Sequence, residues 1–161
     1  KTMNTNTENT LLDLNEMLDN DENLDAFAEA PDYLNPPAGD YRLKAVGAAI
    51  KDFSYEAKGD KEAESGQNII ITIAVVETLE LVKDSEPPVP EGSLFTKRYK
   101  GNKDGIEKFK RDFKKIMKLE SLTGITLGNM FALLEEDNEF NGRISYGKFG
   151  EIEFMNLRFL P

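Results

Sequence analysis

One apolar segment limits the folds open to this chain more than any other part of it. Residues Asn68–Leu81 are rich in Ile, Val and Thr, whose branched Cβ atoms favour extended backbone and lower helix propensity. The run of Ile69, Ile70 and Ile71 is uninterrupted, which predicts a central strand covered on both sides for part of its length. A chain of 161 residues is long enough to bury such a strand in the core of one domain.

Turn residues and alternating patterns place further strands on either side of this segment. They predict strands at Gly39–Ile50, Leu94–Lys100, Met130–Glu135 and Phe140–Tyr146. A last strand is predicted at Glu151–Leu160, either as a separate element or as the second half of a bent fifth strand. Gly47 inside the first strand predicts a bulge or a sharp bend, and Phe53–Gln67 is predicted to be a polar connection.

Asp104–Lys118 is the one predicted helix of the folded region. Asp104 and Glu107 lie three places apart and predict a capping box at its start. Apolar residues recur at helical spacing, which predicts one buried stripe. The stripe consists of Ile106, Phe109, Phe113, Ile116 and Met117.

The predicted order is three strands, a helix and two strands. This is the order of an OB-fold, a five-stranded barrel with one helix between strands three and four. We therefore expect a mainly β protein with an OB-fold-like barrel over residues 36–161, beginning at the boundary signal Pro36-Pro37-Ala38-Gly39. Residues 1–35 are expected to form an acidic, partly disordered N-terminal arm.

Charge is divided unevenly along the sequence. The chain carries 20 Lys and Arg against 30 Asp and Glu, for a net charge of −10. Gly92–Lys118 nevertheless holds ten basic and three acidic residues, whereas the first forty residues hold ten acidic residues and Lys1 alone. A positive surface of this density is typical of a protein that meets a polyanion, and the acidic arm could compete for it.

The composition removes most routes to catalysis. The chain has no Cys and no His, so thiol nucleophiles and imidazole acid–base chemistry are excluded. Acidic residues cluster from Asp84 to Glu91 and from Glu135 to Glu139, but neither cluster has the spacing of a calcium loop. No apolar run approaches the length of a membrane span, and the lack of Cys fits a reducing cytoplasm. We expect a cytoplasmic protein that is not an enzyme, contacts no membrane and uses no cofactor or metal.

Several short motifs resemble those of a family of small phage proteins. They are Pro36-Pro37-Ala38-Gly39-Asp40-Tyr41, Gly92-Ser93-Leu94-Phe95, the lysine-rich helix, Phe140-Asn141-Gly142-Arg143 and Met155-Asn156-Leu157. In order and spacing they are similar to the OB-fold single-stranded DNA-binding proteins of phage replication and recombination. The resemblance implies binding of single-stranded DNA without sequence preference. Family members commonly end in an acidic tail that recruits replication partners, whereas the acidic segment here precedes the barrel.

Such binding needs cations for the phosphates and aromatic rings on which bases stack. In OB-folds the face around strands two and three, with the loops after strands one and four, usually carries the ligand. In this sequence those regions offer ten candidate residues: Lys97, Arg98, Tyr99, Lys100, Lys103, Tyr55, Lys58, Arg143, Tyr146 and Lys148.

Some of these side chains also have a purely structural interpretation. Tyr99 shares a strand face with Phe95 and could belong to the core. Phe53 and Tyr55 lie beside acidic residues, which argues against phosphate contact. The helix lysines could form the solvated face that is normal for any surface helix, and the helix of an OB-fold usually plugs the bottom of the barrel.

Other functions stay open at this point. A structural or assembly protein of a phage particle could use the same barrel as a scaffold, and a net charge of −10 fits this better than it fits a DNA binder. The arm could dock on a protein partner or a neighbouring subunit through Leu11, Leu14 and Leu18, or only aid solubility. A Mg²⁺-dependent nuclease would need several carboxylates within metal-ligand distance.

Overall fold

The computed structural model describes residues 14–18, 29–30, 32–136 and 138–161. The chain divides into two compact units, Lys1–Ala30 and Pro31–Pro161. In the first unit, α1 (Leu14–Met17) is a single turn, and both Leu14 and Leu18 are exposed. Leu11 and most of the predicted acidic arm lie outside the described residues.

The second unit is built on one antiparallel sheet. Its strands are β1 (Gly39–Tyr55), β2 (Glu64–Leu81), β3 (Leu94–Lys100), β4 (Asn138–Phe149) and β5 (Ile152–Phe159). The order across the sheet is β3-β2-β1-β4-β5. Among the described residues the edge strands β3 and β5 do not pair with each other, so backbone hydrogen bonds do not close the sheet into a barrel.

Two helices between β3 and β4 complete the core. α2 (Lys103–Met117) buries Phe109, Phe113 and Ile116, and α3 (Leu127–Leu134) buries Met130 and Leu134. α2 packs against β3 at one edge of the sheet and against β4 and β5 at the other, while α3 packs on β1. The strands contribute mainly alternate apolar residues to this core: Tyr41, Leu43, Ala45, Ile69, Ile71, Ile73, Val75, Phe95, Tyr99, Phe140, Ile144, Leu157 and Phe159.

The strand predicted at Met130–Glu135 is wrong, because this segment lies in α3. The apolar residues of Met130–Leu134 fit a strand and also fit a helix, since Met130 and Leu134 are one helical turn apart. Thr126 begins the helix: its Oγ1 accepts a hydrogen bond from the Asn129 N–H at 3.1 Å. The folded unit therefore has two helices between β3 and β4, and the expected single helix is corrected.

The polar connection predicted at Phe53–Gln67 is wrong at both of its ends, which belong to strands. β1 continues to Tyr55 and β2 starts at Glu64, with Asp52 opposite Gln67 and Tyr55 opposite Glu64. Backbone hydrogen bonds hold this extension together, and they do not require apolar side chains. We call residues 51–67, which form the exposed end of the β1–β2 hairpin, the hairpin arm.

Two local predictions have different outcomes. The bulge predicted at Gly47 is confirmed, because the β1–β2 register shifts between Ala45 and Gly47. The capping box predicted for Asp104 and Glu107 is wrong, since α2 begins one residue earlier. Asn102 caps it, and its Oδ1 accepts a hydrogen bond from the Gly105 N–H at 2.8 Å.

Candidate nucleic-acid interface

Strand alternation divides the basic and aromatic residues of β3 between two faces. Lys97 lies opposite Ile71 and Tyr99 opposite Ile69 in the β2–β3 register, and both isoleucines are buried. Directly paired residues project to the same side of a sheet, so Lys97 and Tyr99 project inward. Arg98 and Lys100, between and after them, project outward.

The outward-projecting side chains of β1, β2 and β3 form a surface that we call the outer face. Lys51, Asn68 and Lys100 share one row of this face, and Ala49, Ile70 and Arg98 share the next. Three cations from two distant sequence regions, Lys51 of β1 and Arg98 and Lys100 of β3, thus meet on one surface. Lys51 was not among the predicted site residues, because only the register of β1 against β2 places it beside Lys100.

Two aromatic rings continue the outer face along the hairpin arm. Phe53 and Tyr55 lie on the same side of β1 as Lys51, and their ring centroids are 5.4 Å apart. The Phe53 ring covers Gly66, where a Cβ atom would lie 3.0 Å from the ring. Tyr55 is 55% exposed. The predicted residues Tyr55, Arg98 and Lys100 are therefore brought to one face, with Phe53 as an added member.

Asn68 lies in the middle of this surface, and its side-chain oxygen has no hydrogen-bond donor among the described residues. The residue is 7% exposed. A buried acceptor without a donor costs about 1–3 kcal/mol. A ligand amine or hydroxyl group that reached Asn68 between Lys51 and Lys100 would supply the missing donor.

A second surface, the β3–α2 groove, lies along the edge of the sheet. It has a volume of about 470 Å³ and is lined by Lys97, Arg98, Tyr99, Lys100, Asp104, Gly105, Lys108 and Arg111. Burial lowers the pKa of Lys97, and the nearby Arg111 and Lys108 lower it further, while Asp112 opposes the change. Crowded, partly desolvated cations of this kind favour an anion between them.

A close approach of α2 to β3 shapes this groove. A Cβ atom at Gly105 would lie 1.9 Å from the Lys100 carbonyl oxygen, so only glycine allows the first turn of α2 to sit against the end of β3. The cations of the strand and of the helix consequently face each other across a narrow gap.

Tyr99 is a core residue, so its prediction as a base-stacking ring is corrected. It is 4% exposed, and its hydroxyl donates a 2.7 Å hydrogen bond to Asp112 Oδ2. Its ring packs edge-on against Phe109, with centroids 5.3 Å apart. The sequence predicts a stacking ring here because strand alternation places Tyr99 on one face of β3 but does not show which face α2 covers.

The remaining predicted residues do not join the outer face. Lys103 begins α2 and lies 3.9 Å from Glu107, and Lys58 lies in the turn of the hairpin arm, paired through its backbone with Lys61. Lys148 lies opposite Glu153 near the β4–β5 turn. The full length of β1 separates that turn from the hairpin arm, because β4 pairs only with Gly39–Ala45.

Arg143 and Tyr146 have structural partners at this distant end. Arg143 holds Asp40 through two hydrogen bonds of 2.7 and 3.2 Å, and this hydrogen bonding lowers the pKa of the Asp40 carboxyl. The Tyr146 hydroxyl donates a hydrogen bond of 2.5 Å to the Pro36 carbonyl. Tyr146 also lines a cavity of about 760 Å³ with Glu86 and Glu153, whose carboxylates would repel phosphate.

Two further searches of the described residues bear on function. No group of three or more acidic side chains is arranged to hold a metal ion within the described ranges. No helix of that part of the chain is long and apolar enough to cross a membrane.

Comparison of the chain with protein-family models, with curated proteins and with solved structures gives no match. A function for this chain therefore has to be argued from the arrangement of side chains in the second unit.

Proposed function

We propose that this protein binds single-stranded DNA without strong sequence preference and performs no chemistry on it. The observation that carries this proposal is the outer face, where the rings of Phe53 and Tyr55 adjoin the cations Lys51, Arg98 and Lys100. Rings would stack on bases of any sequence while cations neutralise phosphates. The resemblance to phage proteins makes DNA replication or recombination the proposed setting.

The architecture supports an OB-fold interpretation of this unit. Five antiparallel strands, with helices inserted between the third and the fourth, fit a barrel that is partly open between β3 and β5. α2 contacts β3 as well as β4 and β5, so it would cover the opening. In such a barrel the face of strands two and three and the loops after strands one and four carry the ligand. The outer face includes β2, β3 and the end of the β1–β2 hairpin, whereas the β4–β5 turn lies outside it.

The test is the affinity of the full chain for fluorescently labelled oligo(dT) over a series of salt concentrations. We expect binding at low salt that weakens steeply as salt rises, since each neutralised phosphate releases counterions and adds about 0.7 to the slope of log K against log salt. A chain that does not bind oligo(dT) at low salt would refute the proposal.

Substitution of the two rings sharpens this test. Phe53→Ala and Tyr55→Ala should each weaken binding about five- to 150-fold, since stacking contributes about 1–3 kcal/mol per base. Phe149→Ala is the matched control, because Phe149 is 82% exposed but lies at the β4–β5 turn. Equal effects of all three substitutions would contradict the assignment of the outer face.

An assembly protein is the second candidate function, and exposed apolar side chains favour it. Phe149, Ile152 and Phe154 are exposed on one side of the β4–β5 hairpin, and Leu14 of α1 and Leu18 just after it are exposed as well. Such residues are suited to docking on a protein partner or a neighbouring subunit. A chain that forms stable oligomers through these residues and ignores oligo(dT) would support this candidate.

A further inference from the structure

We propose that the DNA strand continues from the outer face along α2, where the protein holds it through phosphates alone. This inference rests on the proposed function and extends its site. The junction is formed by Arg98 and Lys100, which belong to the outer face and also line the β3–α2 groove. A strand that leaves the rings of the hairpin arm therefore meets the groove without leaving cationic surface.

The groove continues toward the end of α2. A second depression of about 440 Å³, the α2 C-terminal groove, is lined by Arg111, Lys114, Lys115, Lys118, Leu119, Leu160 and Pro161. Arg111 lines both grooves. Lys108–Lys118 covers ten steps of helix, about 15 Å along the axis at 1.5 Å per residue, which is enough for several phosphates.

Carboxylates neutralise the start of this track but not its end. Asp104 lies 3.0 Å from Lys108, and Asp112 lies 2.9 Å from Arg111. Among the described residues, no carboxylate lies within ion-pair distance of Lys114, Lys115 or Lys118. The local excess of positive charge therefore grows along α2.

The backbone conformation of Lys118 is a second indication that the DNA strand follows α2. Lys118 ends α2 with φ 56° and ψ 47°, and it is the only non-glycine residue with positive φ in the described part of the chain. Glycine is the usual residue in this left-handed position, so a lysine there carries a conformational cost. Strained residues of this kind are concentrated at functional sites. The Lys118 Nζ donates a 3.2 Å hydrogen bond to the Glu139 backbone carbonyl, which holds the ammonium group at the end of the track without neutralising its charge.

None of the described residues that line the α2 C-terminal groove is aromatic. Contact with DNA there would consequently be electrostatic and independent of sequence, and it would matter only for strands long enough to reach it.

The experiment compares two lengths of oligo(dT), about 4 and about 16 nucleotides, which span the range of site sizes of OB-fold proteins. The variant replaces Lys114, Lys115 and Lys118 with Gln. We expect its affinity for the long strand to fall about tenfold or more at low salt. We also expect its salt slope to shrink by about 2, at about 0.7 per phosphate contact, with short-strand affinity unchanged.

The matched control replaces Lys83, Lys148 and Arg158 with Gln, because it makes the same change in net charge at residues that line neither groove. A triple α2 variant that behaves like this control on the long strand would overturn the α2 track but leave the outer face intact. Failure of the unsubstituted chain to bind either strand would overturn the proposed function as well.

Lys118→Gly provides a second variant that we expect to fold, because the side-chain hydrogen bond that it removes, from Lys118 Nζ to the Glu139 carbonyl, is exposed. Glycine relaxes the left-handed position, so the melting temperature should rise while long-strand affinity falls about threefold. A higher melting temperature with unchanged long-strand affinity would assign Lys118 a purely structural role and overturn its place in the track.

Discussion

Asp112 is 1% exposed and joins β3 to α2. One of its carboxylate oxygens accepts a hydrogen bond from the Tyr99 hydroxyl, and the other accepts one from Arg111 Nε at 2.9 Å. A buried carboxylate is costly unless it is paired and hydrogen-bonded, and here both oxygens are satisfied. This single side chain therefore fixes the floor of the β3–α2 groove and the direction of Arg111.

Replacement of Asp112 should destabilise the fold in a graded manner. We expect Asp112→Ala to lower the free energy of unfolding by about 3 kcal/mol, because it leaves the Tyr99 hydroxyl buried without an acceptor. Asp112→Asn should cost less, since the amide oxygen can still accept that hydrogen bond. Urea denaturation measures both, and the exposed Asp104→Ala provides the control. Equal stability of the Ala variant and the unsubstituted chain would exclude this role.

The hairpin arm is the element whose presence the core does not explain. Apart from partly buried Phe53, its residues are exposed. Its backbone ladder, the contacts of the Phe53 ring with Gly66 and Tyr55, and an exposed hydrogen bond from Gln67 to Asp52 hold it in shape. An element of this kind contributes little apolar burial, so its exposed rings are available to a ligand.

Removal of the arm should separate binding from stability. A variant in which Asn-Gly joins Asp52 to Gln67, the pair that is already in register, keeps a two-residue hairpin turn. We expect little change in melting temperature and at least a tenfold loss of oligo(dT) affinity.

The charge change in this deletion strengthens the comparison. Residues 53–66 carry four acidic and two basic side chains, so their removal makes the protein less negative and should favour DNA on electrostatic grounds. Weaker binding would then reflect the lost rings. Unchanged or tighter binding would show that the arm does not contact the strand.

At the scale of the whole molecule, a net charge of −10 does not prevent the binding of a polyanion. The Debye length is about 10 Å at 0.1 M salt, so a strand on the outer face responds mainly to the nearby charges, which are Lys51, Arg98 and Lys100 with Glu64 opposite Tyr55. Carboxylates such as Glu86 and Glu153, which line the cavity at the distant end of β1, are largely screened. The binding of a polyanion therefore depends more on where the charged side chains lie on the surface than on the net charge of the protein.

Buried tyrosines should make the whole fold sensitive to alkaline pH. Burial raises the pKa of Tyr41 to about 12, and it also raises the pKa values of Tyr99 and Tyr146. Below pH 10, the ordinary tyrosine value, the hydroxyls are neutral in the folded and the unfolded chain and their contribution is complete. Above pH 10 the unfolded chain ionises first, so stability should fall between pH 10 and 12.

Denaturant midpoints measured from pH 8 to pH 12 test this expectation. Tyr41→Phe removes one of the titrating groups and should make the decline less steep, even if it lowers stability at neutral pH. A midpoint that stays constant up to pH 12 would contradict the assignment of these hydroxyls to the interior.

Much of the secondary structure follows from local sequence pattern. The strand Leu94–Lys100 was predicted with the bounds that the structure has, and α2 was predicted within one residue. In each segment the apolar residues recur with a single period, that of a strand or that of a helix, because one side of each element is buried. The segment of α3 has apolar residues that satisfy both periods, so the pattern could not choose between helix and strand. The sequence of the hairpin arm shows little apolar alternation, because hydrogen bonds between backbone groups form its ladder.

Local sequence pattern is enough to show that the chain is rich in strands and that cations and rings alternate along β3. Tertiary structure decided which of them are available: α2 covers the side with Tyr99, leaves Arg98 and Lys100 outside, and the β1–β2 register brings Lys51 and Phe53 to the same surface. Alternation is a property of neighbouring residues, whereas the choice of the buried face depends on contacts between segments far apart in the chain.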